Sequence, residues 1–225
     1  MTFSFDSVKF DKKGDVLARK IGPSCRLCRT ENLKLNLKGE RCFSGKCSFE
    51  RRPFSPGQHG QSKFKKQSDY AVQLREKQKV KRYYGVLEKQ FRHFFEKAER
   101  QKGVTGELLL CLLERRLDNV LFRAGLAHSR NHARQLIRHN HVLVNNQRVN
   151  IPSCVVSAPS EIALRDKIKT TPQVQEVVAL AARRDVPPWL EVDADAVKVK
   201  VKSLPAREDI VVPIQEQLIV ELFSK

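Results

Sequence analysis

The sequence holds few acids for its bases, with 25 Asp and Glu against 43 Lys and Arg and a net charge of +18. It has no apolar run approaching the roughly 18 residues of a membrane span. Its first residues, Met1 to Asp6, carry an acid early and lack an apolar core, which excludes a secretory leader and makes the cytoplasm the expected compartment. No internal repeat and no low-complexity stretch is present, so a solenoid is excluded. Lysine is missing from Glu114 to Asp166, where every base is Arg. What remains is a chain of 225 residues, 40% hydrophobic, long enough for one large or two smaller cores. A cationic surplus of this size favours a polyanionic partner.

The surplus is uneven. Lys9 to Lys66 holds 16 bases against 5 acids, and Gln67 to Leu113 holds 10 against 6. Glu114 to Thr171 holds 10 against 4, whereas Pro172 to Lys225 holds 7 against 9. One end is suited to phosphate and the other is not. The most basic segment is punctuated by Gly and Pro, unlike a membrane-surface helix.

Residues 1–17 read as an arm, with Phe3, Phe5, Val8 and Phe10 as a short alternating strand or disorder. Residues 18–66 read as irregular. Ser68 is an N-cap before a helix that breaks at Tyr84-Gly85. Leu87, Phe91, Phe94, Phe95 and Ala98 then keep a helical apolar face. One further helix is expected from about Glu107 to Ala124, with Cys111 packed in the core. Gly125 closes it with a left-handed cap, and Ser129 opens the next, roughly Arg130 to His139. Val142-Leu143-Val144, the turn Asn145-Asn146 and Arg148 to Ile151 form a hairpin. Val155-Val156 and Glu161 to Leu164 add short strands. Pro172 to Arg184 is helical, with Val174, Val177, Val178 and Ala181 on one side. The tail alternates strands and turns, closing on Leu218 to Phe223.

Four of the six cysteines fall within one short stretch, Cys25, Cys28, Cys42 and Cys47, in the pattern C-x2-C-x13-C-x4-C. Two short-spaced pairs can bring four thiolates around Zn²⁺. With four protein ligands no position stays open for water, so the ion is structural and supplies folding energy to a polar segment. An iron–sulfur cluster is the alternative, since four thiolates also suit it. His128 and His132 have helical i, i+4 spacing, but no carboxylate completes a metal site there.

Arg130, Arg134 and Arg138, spaced by four, read as one stripe, with Ala133, Leu136 and Ile137 facing the core. A guanidinium fork fits phosphate oxygens in pairs, so the helix and hairpin suit an RNA backbone. The plain alternative is a solvated basic face.

Arg116-Leu117-Asp118-Asn119-Val120-Leu121-Phe122-Arg123 through Val144-Asn145 and Val149-Asn150-Ile151 resembles the small RNA-binding domain named after ribosomal protein S-four. Pro56-Gly57-Gln58-His59-Gly60, Ser68-Asp69-Tyr70, Gln73 to Lys79, Tyr84 to Glu88, Trp189 to Asp193 and Leu218 to Leu222 resemble the bacterial ribosomal S-four family itself. The resemblance covers about residues 18–225. It implies an α+β fold, in which a mostly helical body lobe carries an inserted small α/β RNA-binding domain of helix-turn-helix and hairpin. A metal-bound N-terminal loop segment precedes them. The segments are an arm (1–17), a basic cysteine segment (18–66), the helical lobe (67–113), the RNA-binding domain (114–171) and the C-terminal part of the body lobe (172–225). The implied role is a non-catalytic constituent of the small ribosomal subunit. It binds the 5′ domain of the rRNA early in assembly, near the mRNA entry channel and the proteins S-three and S-five. It has no membrane or small-molecule partner, and the cysteines resemble the zinc-bearing branch. Candidate RNA contacts are Arg51, Arg52, His59, Lys63, Lys65, Lys66, Arg75, Lys79, Arg82, Arg116, Arg130, Arg134, Arg138 and Arg148. An RNA-modifying enzyme with the same domain is the runner-up. In pseudouridine synthases a similar Arg-Leu-Asp string supplies the catalytic Asp, but within a separate large domain. A regulator of messenger RNA is a third reading.

Overall fold

A computed structural model describes residues 22–62, 66, 68–181, 186–193 and 196–224. The proposed arm, 1–17, lies outside them. The cysteine segment contains more helix than its Gly and Pro content suggests: α1 (Ser24–Glu31), a 3-10 turn (Gly39–Cys42) and α2 (Ser48–Arg51). α1 ends on Asn32 in the left-handed conformation, which lets a non-Gly residue stop the helix.

The helical lobe begins with α3 (Asp69–Tyr84). The Ser68 hydroxyl accepts from the Ala71 N–H, and Gly85 closes the helix at φ +64°. α4 (Glu88–Glu99) and α5 (Thr105–Glu114) follow. Phe91, Phe94, Phe95, Leu109, Leu110 and Leu113 form the lobe's core with Val80 and Tyr84. The chain returns to complete it: Ile210, Val212 and Ile214 join the same core, and α10 (Glu216–Phe223) packs on α3 and α5. Phe223 stacks on Phe95 at 4.2 Å. Leu218 to Phe223, expected as a strand, is therefore helical. Its β-branched residues favour a strand locally, but burial of Ile219 and stacking of the half-buried Phe223 on Phe95 of α4 outweigh that small preference.

The helix expected over 107–124 is two helices, α5 and α6 (Leu117–Arg123). Arg116 between them is extended, at ψ 135°. The cause is non-local. The Val156 N–H donates to the Arg115 carbonyl at 2.9 Å, and the Leu117 N–H donates to the Cys154 carbonyl at 2.8 Å. Val155 thus bridges to Arg116, and residues 155 and 156 do not belong to a strand of the sheet.

α7 (Arg130–Arg138) packs on α6, its N-terminus capped by the Ser129 hydroxyl. Gly125 lies before it at φ +76°. β1 (Val142–Val144) and β2 (Gln147–Arg148) make the expected hairpin. Asn145 and Asn146 both have positive φ, 48° and 63°, as a type I′ turn requires. β3 (Ser160–Leu164) pairs with β1. After α8 (Asp166–Lys169) and α9 (Pro172–Ala181), β4 (Leu190–Asp193) and β5 (Lys198–Val201) complete a five-stranded antiparallel sheet of order β2-β1-β3-β5-β4. Val174, Trp189, Leu190, Val197, Val199 and Val201 pack with Leu117, Ile137 and Ile162. One core thus draws on residues from Leu117 to Val201, while Ile210, Val212, Ile214 and Ile219 belong to the other.

Candidate nucleic-acid interface

The arginines of α7 do not form one outward stripe. Arg130 and Arg134 are buried, and only Arg138 is exposed. Arg130 and Arg134 fall with Ala133 and Ile137 on the i, i+3, i+4, i+7 face that meets the protein interior.

Their guanidinium groups are engaged within the chain. Arg134 Nε donates to Asp118 Oδ2 at 2.6 Å, and its Nη1 and Nη2 donate to the carbonyls of Gly85 and Tyr84. Arg116 forms a paired fork with Asp118, at 3.1 and 2.9 Å. Arg130 Nε donates to Asn119 Oδ1, while the guanidinium lies 4.0 Å from the Tyr83 ring centroid and 4.5 Å from that of Phe122. The Nη2 of Arg130 and the Nη1 of Arg116 have no hydrogen-bond acceptor among the described residues. The rings beside them, including Phe94 5.5 Å from Arg116, offer their negative faces instead.

A second carboxylate anchors the same junction. Glu114 accepts from the Tyr84 hydroxyl at 2.7 Å, from Asn119, and from Nε and Nη2 of Arg123. Burial alone would push the Glu114 carboxyl up, but Arg123 and the hydroxyl hold it below the usual range. Burial, then the neighbouring Glu114, pushes the Tyr84 hydroxyl well above its ordinary value. These groups were not singled out from sequence, although an acid and an amide inside apolar helices were a visible signal. Asp118, the acid of the Arg-Leu-Asp string, is fully buried and holds two arginines, which is a structural use.

The other candidates divide clearly. Arg51, Arg52, His59, Lys66, Arg75, Arg138 and Arg148 are exposed. Arg51 also donates to the Gly45 carbonyl, and Arg75 lies 3.8 Å from Glu31. Lys79 and Arg82 are half-buried and paired, with Glu76 and Glu31 respectively. Lys63 and Lys65 lie outside the described residues. The exposed face of α7 consists of Asn131, Gln135 and Arg138, and the hairpin tip adds Arg148. No Asp or Glu occurs between Asp118 and Glu161, so no carboxylate from this stretch opposes a polyanion.

Cys28, Cys42 and Cys47 are buried, Cys25 is half-buried, and all are free thiols. Burial pushes the Cys28 and Cys42 thiols up, and the other sulfurs of the set push in the same direction. The Lys38 N–H donates to Cys42 Sγ at 3.3 Å. Thiol sulfur is a soft donor, and its chemistry suits zinc or an iron–sulfur cluster. Among the described residues no group of three or more His, Cys, Asp or Glu side chains is gathered to hold an ion. The segment docks on the loop before α7: a Cβ at Gly39, which has φ +63°, would meet the His128 carbonyl oxygen at 2.4 Å. His128 and His132 lie close, with ring centroids 5.5 Å apart. Burial and the charge of His128 lower the His132 pKa. No described helix is long and apolar enough to cross a membrane.

The chain matches two family descriptions, the ribosomal protein S4/S9 N-terminal domain over residues 19–114 and the S4 domain over residues 115–162. Those matches define a class of ribosomal proteins in which a helical N-terminal region precedes an S4 domain. The small ribosomal subunit protein uS4 of Desulfotalea psychrophila is 64% identical over 209 residues, covering 93% of this chain and all of that protein. The uS4 proteins of Trichlorobacter lovleyi and Geobacter sulfurreducens are 58% and 57% identical over the same spans. The chain belongs to the uS4 family of small ribosomal subunit proteins, a family of ribosome constituents and not of enzymes.

Proposed function

We propose that the chain is a structural constituent of the small ribosomal subunit. It binds the 5′ domain of the rRNA early in assembly, near the mRNA entry region and the proteins S-three and S-five, and so contributes to translational accuracy. The carrying observation is the carboxylate-free stretch between Asp118 and Glu161, with Arg138 and Arg148 exposed. The basic flank at Arg51, Arg52 and Lys66 adds phosphate contacts. Each base that neutralises a phosphate releases condensed counterions, so affinity falls steeply with salt.

The cysteine segment holds a structural zinc ion through Cys25, Cys28, Cys42 and Cys47, with an iron–sulfur cluster as the alternative. The spacing and the burial of three of the four support this reading. When bound, the ion supplies cross-linking of two chain segments. The protein's own part is the backbone donor at Lys38 and the docking of Gly39 on the α6–α7 loop.

The test is a titration of the purified protein against 5′-domain rRNA at several salt concentrations, with tRNA as competitor. The expected result is tight, salt-sensitive binding that tRNA does not displace. Equal displacement by tRNA would overturn the assignment to this rRNA and leave a generic RNA binder.

A further inference from the structure

The exposed face of α7 is mainly amide, although its sequence suggests an arginine face. With Arg130 and Arg134 turned inward, Asn131, Gln135 and Arg138 occupy positions i, i+4 and i+7 on the opposite side. The side-chain amides of Asn131 and Gln135 are exposed and make no hydrogen bond to any described residue. The helix that carries them is fixed by its buried face, so the two amides stand about one turn apart on a rigid support.

We propose that this face lies across the minor groove of an RNA helix, with Asn131 and Gln135 hydrogen-bonding ribose 2′-hydroxyls. The inference rests on the RNA-binding function above and assigns a task within it. An amide both donates and accepts, as does a 2′-hydroxyl, whereas a guanidinium only donates. The minor groove of A-form RNA is wide and shallow and displays 2′-hydroxyls, so a helix face can reach them. Arg138 and Arg148 contact the bordering phosphates, which anchor the protein but are the same in DNA and RNA. The discrimination between the two nucleic acids therefore falls to the amides. The carboxylate-free stretch favours a nucleic acid over a basic protein at this face.

The experiment compares the full chain with its Asn131→Ala/Gln135→Ala variant and with Arg138→Ala on 5′-domain rRNA. Affinity is measured across salt, and ribose protection is mapped by hydroxyl-radical footprinting. Loss of two exposed amides is expected to weaken binding about tenfold, leave the salt slope unchanged and remove one patch of minor-groove protection. Arg138→Ala should lower the slope by about one phosphate contact and keep that patch. Thermal unfolding of all three should agree, since the substituted side chains are exposed. A double variant that binds like the parent, or whose weaker binding comes with a reduced salt slope, would sink the amide assignment and leave rRNA binding intact. A parent chain that does not bind the rRNA would overturn both.

Discussion

Arg134 and Asp118 meet at 2.6 Å where the two lobes join, and the same guanidinium also holds the carbonyls of Tyr84 and Gly85. A side chain of the S4 domain therefore closes the C-terminus of α3 in the helical lobe. Gly85 permits this closeness, since a Cβ there would lie 3.3 Å from Arg134 Nη1. Arg134→Ala leaves Asp118 paired with Arg116 but deprives the Tyr84 and Gly85 carbonyls of their donor, at a cost of about 1–3 kcal/mol. It should lower the unfolding free energy by that amount without changing the salt slope of rRNA binding in the protein that stays folded. A reduced slope at unchanged stability would return Arg134 to the RNA contacts.

Glu114 gives the junction a pH dependence. Its folded pKa lies below the ordinary carboxylate value of 4.5, so its contribution is complete above that value and is lost as pH falls through the folded one. Urea unfolding from about pH 6 to pH 3 should show stability falling in the acid limb. Tyr84→Phe removes a donor to Glu114, costs about 1 kcal/mol at neutral pH, and moves the acid loss to higher pH. An acid limb identical in parent and variant would separate Tyr84 from the Glu114 titration.

Gly39 marks where the cysteine segment meets the S4 domain. Gly39→Ala strains a left-handed backbone by about 1–2 kcal/mol and drives a methyl group into the His128 carbonyl. The expected result is selective detachment: amide exchange accelerates over residues 24–51, while α3 and α4 keep their protection. Uniform acceleration across the chain would mean that the segment is not a separable unit.

Removal of the proposed metal should act in the same place. Residues 22–62 bury few large apolar side chains, Leu35 being the main one, so the proposed ion would supply much of the segment's folding energy. A strong chelator, or Cys42→Ser, should expose this region to protease and leave the sheet core resistant. Elemental analysis separates zinc from iron. Unchanged protease resistance with no bound metal would remove the ion from the account.

Local signals in the sequence were reliable where one residue decides the geometry. The capping hydroxyls of Ser68 and Ser129, the helix break at Gly85, the left-handed Gly125 and the Asn145-Asn146 turn all stand where the sequence predicts them. The breaks at 115–116 and the helix over 216–223 were not legible, because distant partners impose them: residues 152–156 in one case, α3 and α5 in the other. The arginine face of α7 failed differently. The i, i+4 spacing holds, but charge does not dictate exposure. Asp118, Asn119 and the rings of Tyr83 and Phe122 supply an interior that holds the arginines at 130 and 134.

The return of the chain to α10 also orders events during synthesis. α3 lacks one of its packing partners until residues 216–223 have been made, and the whole S4 domain with its added strands is translated in between. The sheet core can therefore close while the helical core is still open, since sequence-local units form first on an emerging chain. A nascent chain would present the face of α7 to RNA before its helical lobe is complete.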